Sequence, residues 1–453
     1  MSEELILNKI EENRDDYIRF FQQLVQTDSY NPPGNEKNVA NKIVDYLNSV
    51  DIKCEIFAFG KNRANLIAYL NDNFDGENLL YNGHMDVVPS GIESEWKKPP
   101  LSGFIKRNKT MFGRGTADMK GALSAMIIAL KILKELKIET KGNLILNAVA
   151  DEETGGDLGT GWCVDNILIP RSIKSSFAVI GEPSGIRPLP KAIILGEKGH
   201  LQLKIITNGI SCHSSTPFLG KNAISMMSEI IQDLGKFDQY IPNVEPPMSI
   251  ERIKELIASV FPSRENFDRV FKEQALLQNV VKALNQFTKS FNMISGGIKE
   301  NVIPDRCEGV MDFRLLPGQK PEKIIGALKR IIEELGYEVR DEPTGNPEDV
   351  FVYLETIHQS EASYWNDWED SLILKDFFSF VEKIYGSKPF YFFFPACADA
   401  HYLRNTGYCP DTILFGPGNA TTAHAIDENI DIQDFIDSIK VYTLFAYNFL
   451  TKT

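Results

Sequence analysis

Residues 79–86, Leu79-Leu80-Tyr81-Asn82-Gly83-His84-Met85-Asp86, run from an apolar triplet straight into glycine, histidine and aspartate. A short apolar run closed by glycine and polar residues reads as a buried strand, and in an open α/β sheet ligands sit outside the carboxyl ends of the strands. The same pattern recurs. Leu144-Ile145-Leu146 leads into Asp151-Glu152-Glu153-Thr154-Gly155-Gly156, and Phe177-Ala178-Val179-Ile180 into Gly181-Glu182-Pro183. Between the first two strands, Gly113-Arg114-Gly115-Thr116-Ala117-Asp118 opens a helix near Met119. Its Leu123, Met126, Ile127 and Leu130 share one face, and Ala122, Ala125 and Ala129 permit close packing. A fifth segment, Gly416-Pro417-Gly418 with Ala423-His424 and Asp427-Glu428, stands far downstream. Strands alternating with helices predict an α/β fold, a mixed, mostly parallel sheet flanked by helices.

The pattern changes near Lys198. Residues 199–206 alternate with period two, as does Cys307 to Leu315, on which Asp312 and Arg314 point the same way. Between these strands, roughly 240–290, lies a helical stretch with Ile253, Leu256, Ile257 and Val260 on one face and a second helix beginning at Phe267, Val270 and Phe271. The expected organisation is residues 1–197 and 361–453 as two parts of one domain, with an α+β module, 198–360, inserted between them. A length of 453 residues suits two domains at about 150 residues or more each.

Composition narrows the function classes. With 43% hydrophobic and 24% charged residues the chain is ordinary globular protein. Lys plus Arg number 48 against 62 Asp plus Glu, a net charge of −14. Such a chain lacks a field for gathering phosphates or anionic lipid, so neither nucleic acid nor membrane is an expected partner. No apolar run approaches the ~18 residues of a spanning helix. The opening residues lack the basic and then apolar pattern of a secretory leader. The six cysteines (Cys54, Cys163, Cys212, Cys307, Cys397, Cys409) form no Cys-x-x-Cys pair, which argues against a disulfide framework or zinc ribbon. A cytoplasmic location is expected.

Singly, an acidic residue after a strand is a loop residue or a helix cap. Together, two histidines and several carboxylates converging on one sheet edge would repel and raise one another's pKa values unless cations intervened. Mixed imidazole and carboxylate donors suit zinc, with manganese or cobalt as alternatives. A metal site, binuclear by its number of donors, is the reading from chemistry alone.

These segments resemble the metallopeptidase family of acetylornithine deacetylase, succinyl-diaminopimelate desuccinylase, aminoacylase and the glutamate carboxypeptidases. The likeness extends to Trp96 with Pro99-Pro100, Asp118-Met119-Lys120-Gly121, His213-Ser214-Ser215 with Pro217, and Asn301-Val302-Ile303-Pro304. It implies a zinc-peptidase-like catalytic domain with an inserted lid and dimerisation domain. It also implies two divalent metals, most simply zinc, bridged by Asp118 and a water or hydroxide. His84 and Glu182 would complete one metal, Glu153 and His424 the other. Asp86 matches the carboxylate that hydrogen-bonds the metal-bound histidine, and Glu152 matches the general base that lets the bridging hydroxide attack an amide. His213, by itself a turn residue, matches a lid histidine that reaches the site of a partner subunit in a homodimer and steadies the oxyanion. A substrate carboxylate would meet Arg314, with Asn301 and the backbone N–H groups of Gly416 to Gly418 assisting; Asp312 is a competing partner for Arg314 on the same strand face. Asp399 resembles a further landmark near the site, His401 is read as lining the pocket, and His200 and His358 as structural.

The expected function is a metal-dependent amidohydrolase acting on an N-acyl amino acid, in the manner of a deacetylase or desuccinylase. The alternatives are a dipeptidase or carboxypeptidase with the same centre, and an inactive binding relative. The last is disfavoured because His84, Asp118, Glu152, Glu153, Glu182 and His424 are all competent residues. The 240–290 segment departs from the family's shorter members and is expected to extend the dimer interface, cover the site or remodel substrate choice.

Overall fold

The computed structural model describes residues 3–343, 346 and 348–452. Among these residues the larger sheet has nine strands. The centre is parallel: Leu144–Val149, Leu79–His84, Phe177–Ile180 and Thr412–Leu414 lie side by side in that order. Antiparallel strands flank it, Arg63–Tyr69 and Cys54–Phe59 on one side, Ala192–Glu197 and Ser363–Tyr364 on the other, and Phe390–Phe394 runs parallel to Ala192–Glu197 as the ninth. Every residue of Leu79–His84, Leu144–Val149 and Phe177–Ile180 is buried, as continuous apolar runs covered on both faces require.

The helix Lys120–Glu135 is buried on nearly every side rather than along one stripe, because it lies between the sheet and the helices Arg14–Gln26 and Ile432–Lys452. Its alanines allow that approach, and each fully buried Leu or Ile on it contributes about 1.5–3 kcal/mol. The helix Leu372–Tyr385 packs on Ile432–Lys452 in turn.

The chain leaves this sheet between Glu197 and Gly199 and returns between Ser360 and Ser363. In between, five strands form a second sheet in the order Thr288–Gly296, Arg306–Leu315, Gly199–Asn208, Phe351–Ser360, Val339–Arg340, antiparallel except for the last pair. The alternating burial of Gly199–Asn208 and Arg306–Leu315 matches their period-two sequences. Their inner face packs with the helices Ala223–Asp233 and Pro321–Glu334 into a separate core.

The helical stretch departs from its expected place in the inserted module. It forms Ile250–Ala258, Arg264–Glu273 and Ala275–Leu284, and its buried Ile253, Leu256, Ile257, Phe267, Val281 and Leu284 join the core of the larger domain. The cause is complementarity. Ile250–Ala258 lies beside the strand Phe390–Phe394, near an aromatic wall that includes Trp368 and Tyr391, and Arg252 reaches Glu369 at 2.6 Å. Lys198, at the crossing between domains, donates to Ala283 O at 2.8 Å.

Candidate metal centre

The parallel strands all end at one edge, and the chemistry-bearing residues gather there. His84 closes its strand, while Glu152 and Glu153 follow Leu144–Val149 and Glu182 follows Phe177–Ile180. Asp118 lies just before the helix Lys120–Glu135, and His424 comes from the loop after Thr412–Leu414.

Two donor sets overlap on Asp118. His84, Asp118 and Glu182 form one, and Asp118, Glu153 and His424 the other; within each set the ligand atoms lie within 4.8 Å of one another. One oxygen of Asp118 is 3.1 Å from His84 Nε2, its other oxygen 3.2 Å from His424 Nε2. His424 Nε2 is also 3.0 Å from Glu153 Oε2, and the second oxygen of Glu153 accepts from Val88 N at 3.2 Å. Glu152 stands 3.9 Å from His84 Nε2 and Glu182 3.8 Å.

The bond expected from the Asp86 carboxylate to His84 is made instead by the Asp86 main-chain oxygen, 2.9 Å from Nδ1, with the carboxylate 3.6 Å away. The other carboxylate oxygen of Asp86 is drawn off by Asn31 Nδ2 at 2.8 Å and Glu153 N at 3.2 Å. With Nδ1 donating to that main-chain oxygen, Nε2 is the ring nitrogen that faces Asp118 and the one a metal would meet.

The electrostatics fit bound cations. Burial, opposed by His84 and reinforced by Glu182, Asp399 and Glu153, lifts the Glu152 carboxyl well above the usual range. Glu182 is raised in the same way, by burial and then Asp118. Burial also pushes Asp118 up, but the bonds from His424 and His84 outweigh it and hold that carboxyl low. Asp118 and then Glu153 push His424 up to about 11. Glu182 Oε1 and Asp86 Oδ1 are buried with no hydrogen-bond partner among the described residues. Unpartnered carboxylate oxygens beside imidazole nitrogens are what divalent cations satisfy, and this donor set suits zinc, cobalt or manganese.

Other side chains, most of them given no role in the sequence reading, hold this edge in shape. Glu428, fully buried, accepts from Arg114 Nη1 at 2.6 Å and from the N–H groups of Gly115, Ala117 and Asp118 at 3.1, 2.8 and 3.1 Å. Arg114 in turn donates to His424 O at 3.2 Å and Ala425 O at 3.3 Å, so one ion pair braces both loops that flank Asp118. Asp151, immediately before Glu152, has a left-handed backbone (φ 73°) and is gripped by Arg63 at 2.9 Å, Thr154 Oγ1 at 2.8 Å and Leu158 N at 3.0 Å. Arg63 also bonds the buried Glu36 at 2.7 Å. Asp399 accepts from Thr160 Oγ1 at 2.6 Å behind the same turn.

The remaining predicted residues belong to neither donor set. His213 is exposed and pairs with Ser215 Oγ at 2.7 Å; Asn301 is its neighbour, accepting from Ser214 N at 3.0 Å. Arg314 is engaged by Asp312, Nε to Oδ1 at 3.0 Å, and Asp312 by His200 at 2.6 Å. The N–H groups of Gly416 and Gly418, expected to assist a substrate carboxylate, are already taken by Ser184 Oγ at 3.3 Å and Asp434 Oδ2 at 2.9 Å. What these glycines provide is closeness: a Cβ on Gly416 would fall 2.4 Å from Gly181 O, and Gly418 adopts φ 92° beside Ala117. His401 lines a cavity of about 630 Å³ with Asp157, Lys320 and Tyr402.

Residues 80–448 match the family described as Peptidase family M20/M25/M40. A succinyl-diaminopimelate desuccinylase of Hydrogenovibrio crunogenus (strain DSM 25203 / XCL-2) is 26% identical over 435 residues, covering 96% of this chain and 98% of its own length. Among solved structures, the M20 family metallo-carboxypeptidase Sso-CP2 of Sulfolobus solfataricus is similar at a TM-score of 0.75 and 22% identity, over 96% of this chain and 99% of that one. Human carnosine dipeptidase 1 is similar at 0.73 and 15% identity, over 99% of each chain. These two likenesses concern the fold. Among the described residues no helix is long and apolar enough to cross a membrane.

Proposed function

Because the chain belongs to peptidase family M20/M25/M40 and is a metal-dependent hydrolase of amide bonds, we propose that it removes a short acyl group from an N-acyl amino acid. The observation that carries the reading is the pair of donor sets sharing Asp118, with Glu152 beside them and bonded to neither. In this reading His84 and Glu182 hold one divalent ion, Glu153 and His424 the other, and Asp118 both, with zinc as the metal. When bound, such a pair polarises the scissile carbonyl and acidifies water. Glu152, whose proton affinity is raised by its buried acidic surroundings, takes the proton of the attacking water and returns it to the departing amine. Asp86 acts through its main-chain oxygen, keeping the His84 ring in one tautomer.

The acyl group we propose is succinyl or acetyl, a choice supported by relatives of nearly full length named for desuccinylation. Arg314 and Asn301 are the proposed anchors for the free carboxylate, which would draw Arg314 from Asp312. We also propose a homodimer through the lid, in which His213 reaches the partner's site. Support comes from the edge strand Thr288–Gly296, whose Met293 and Ile294 are 67% and 56% exposed, and from Phe218 at 95%. An unpaired, apolar strand edge invites a second chain. The six free cysteines accord with a reducing, cytoplasmic setting.

The test is a hydrolysis panel of N-succinyl, N-acetyl and N-formyl amino acids alongside dipeptides, run before and after chelation and after adding back zinc, cobalt or manganese. Chelator-sensitive cleavage of acyl amino acids is expected. Preference for dipeptides would make the enzyme a peptidase with the same centre, and inactivity with every metal would overturn the reading.

A further inference from the structure

A third group of metal-competent side chains shares no residue with the two donor sets. His200 on Gly199–Asn208 and His358 on the neighbouring strand Phe351–Ser360 bring their rings to 4.5 Å between centroids. Cys397 joins them from the other domain, in the loop after Phe390–Phe394. Ligand atoms of all three lie within 4.8 Å of one another.

Three features mark this as more than chance proximity. His358 Nε2 is buried with no hydrogen-bond partner among the described residues, an orphan that calls for an explanation such as an ion. Burial, and then His200, bring the pKa of His358 down to about 4, so its ring is neutral and offers a lone pair. His200 gives Nε2 to Asp312 at 2.6 Å, the carboxylate–imidazole arrangement that orients a ligating histidine through its other nitrogen.

We propose that His200, His358 and Cys397 form a separate metal site, taking Zn²⁺ or another thiolate-seeking borderline cation, that ties the lid to the catalytic domain. Two imidazoles and a thiol select such cations over magnesium and calcium. Three protein ligands leave a fourth position open, which suits an exchangeable ion rather than a closed structural one. The location is the hinge. Both chain crossings, at 197–199 and 360–363, are within a few residues of these histidines, and Lys198 N bonds Phe394 O and Ala396 O at 3.2 and 3.1 Å. The site also touches the catalytic edge, since a Cβ on Gly155 would stand 3.7 Å from His358 Cε1. An ion here fixes the lid relative to the turn that carries Glu152. On binding, the Cys397 thiol gives up its proton to solvent as the metal–sulfur bond forms.

Cobalt distinguishes the sites, because the dinuclear set contains no sulfur. Titrating the metal-depleted full chain with Co²⁺ is expected to develop thiolate-to-cobalt charge-transfer absorption in the near ultraviolet. The band should be lost in Cys397→Ala and weakened in His358→Ala, while both variants retain cobalt in the dinuclear centre. No band at any loading, or an undiminished band in Cys397→Ala, overturns the proposal. The unsubstituted protein gives the same answer through peptide mapping. Zn²⁺ added beyond the dinuclear requirement should protect Cys397 from iodoacetamide, and unchanged alkylation counts against the site. The site shares no residue with the dinuclear centre, so its failure leaves the proposed hydrolase reading intact.

Discussion

Replacing Glu428 by glutamine asks whether one buried ion pair braces both sides of the metal centre. The carboxylate accepts four hydrogen bonds, two on each oxygen, from Arg114 and from the N–H groups of Gly115, Ala117 and Asp118. Glutamine keeps the shape but turns one oxygen into a donor, so two bonds are lost and donors face donors. Arg114, only 2% exposed, is left without its counter-charge. Breaking a buried pair in this way costs about 3–5 kcal/mol, and we expect urea denaturation of the metal-free protein to show a loss of that order. The same bonds support the main chain of Asp118 and, through Arg114, that of His424. Calorimetric zinc titration should therefore show about 10–100-fold weaker binding, as when a supporting partner of a metal ligand is removed. A variant that unfolds at the wild-type urea concentration and binds zinc equally well would refute the bracing argument.

Glu152→Gln should lower kcat by about 10²–10⁴-fold while metal content stays at the wild-type level, because the variant loses proton transfer and no donor of either set. Full activity would reassign the base. His213→Ala should slow turnover without metal loss, and mixing it with Glu152→Gln under subunit exchange should restore activity, since one hybrid site then has both residues; no recovery would argue against cross-subunit catalysis. Lys120, fully buried with Nζ donating to Thr27 O at 2.8 Å, has its pKa brought down by burial to about 7 from the usual 10.5. The unfolded chain therefore holds a proton the folded chain has lost across that interval, so stability should rise as pH climbs from about 7 to 10.5. Lys120→Met should flatten that part of the stability–pH curve, and an unchanged slope would show that Lys120 stays protonated in the fold.

What the sequence made legible follows how local each signal is. The strand Leu79–His84 and the helix Lys120–Glu135 announce themselves through apolar runs and spacing; His84 and Asp118 lie in motifs next to them, and Glu152, Glu153, Glu182 and His424 in motifs that follow other strands. The apolar face of Ile250–Ala258 is equally readable, but its partner is not, because periodicity reports that a face is buried and not against what. Arg63 and Asp151 lie 88 positions apart, and their grip on the Glu152 turn depends on a left-handed backbone that no composition reveals. Glu428 was visible as part of a motif, yet its four bonds exist only once the Gly113–Asp118 loop has folded around it. His200 and His358 each look like an unremarkable strand histidine until Cys397 arrives from the other domain.

The strand Thr412–Leu414, seated between Phe177–Ile180 and Ala192–Glu197, also has a consequence for biosynthesis. All five strands of the lid sheet have been synthesised by residue 360, whereas the larger sheet keeps a vacancy near its middle until residue 414. At about 5–20 residues per second, a nascent chain carries that vacancy for roughly ten to forty seconds after Glu197 is made. Long-range closure of this kind is slow even in a released chain. The ribosome thus delivers a finished lid on an unfinished catalytic half, and His424 is the last of the six motif residues to be made. A truncated product lacking the final forty residues would retain His84 and Asp118 but lose His424, Glu428 and the helix Ile432–Lys452 together, leaving a core that quality-control proteases can open.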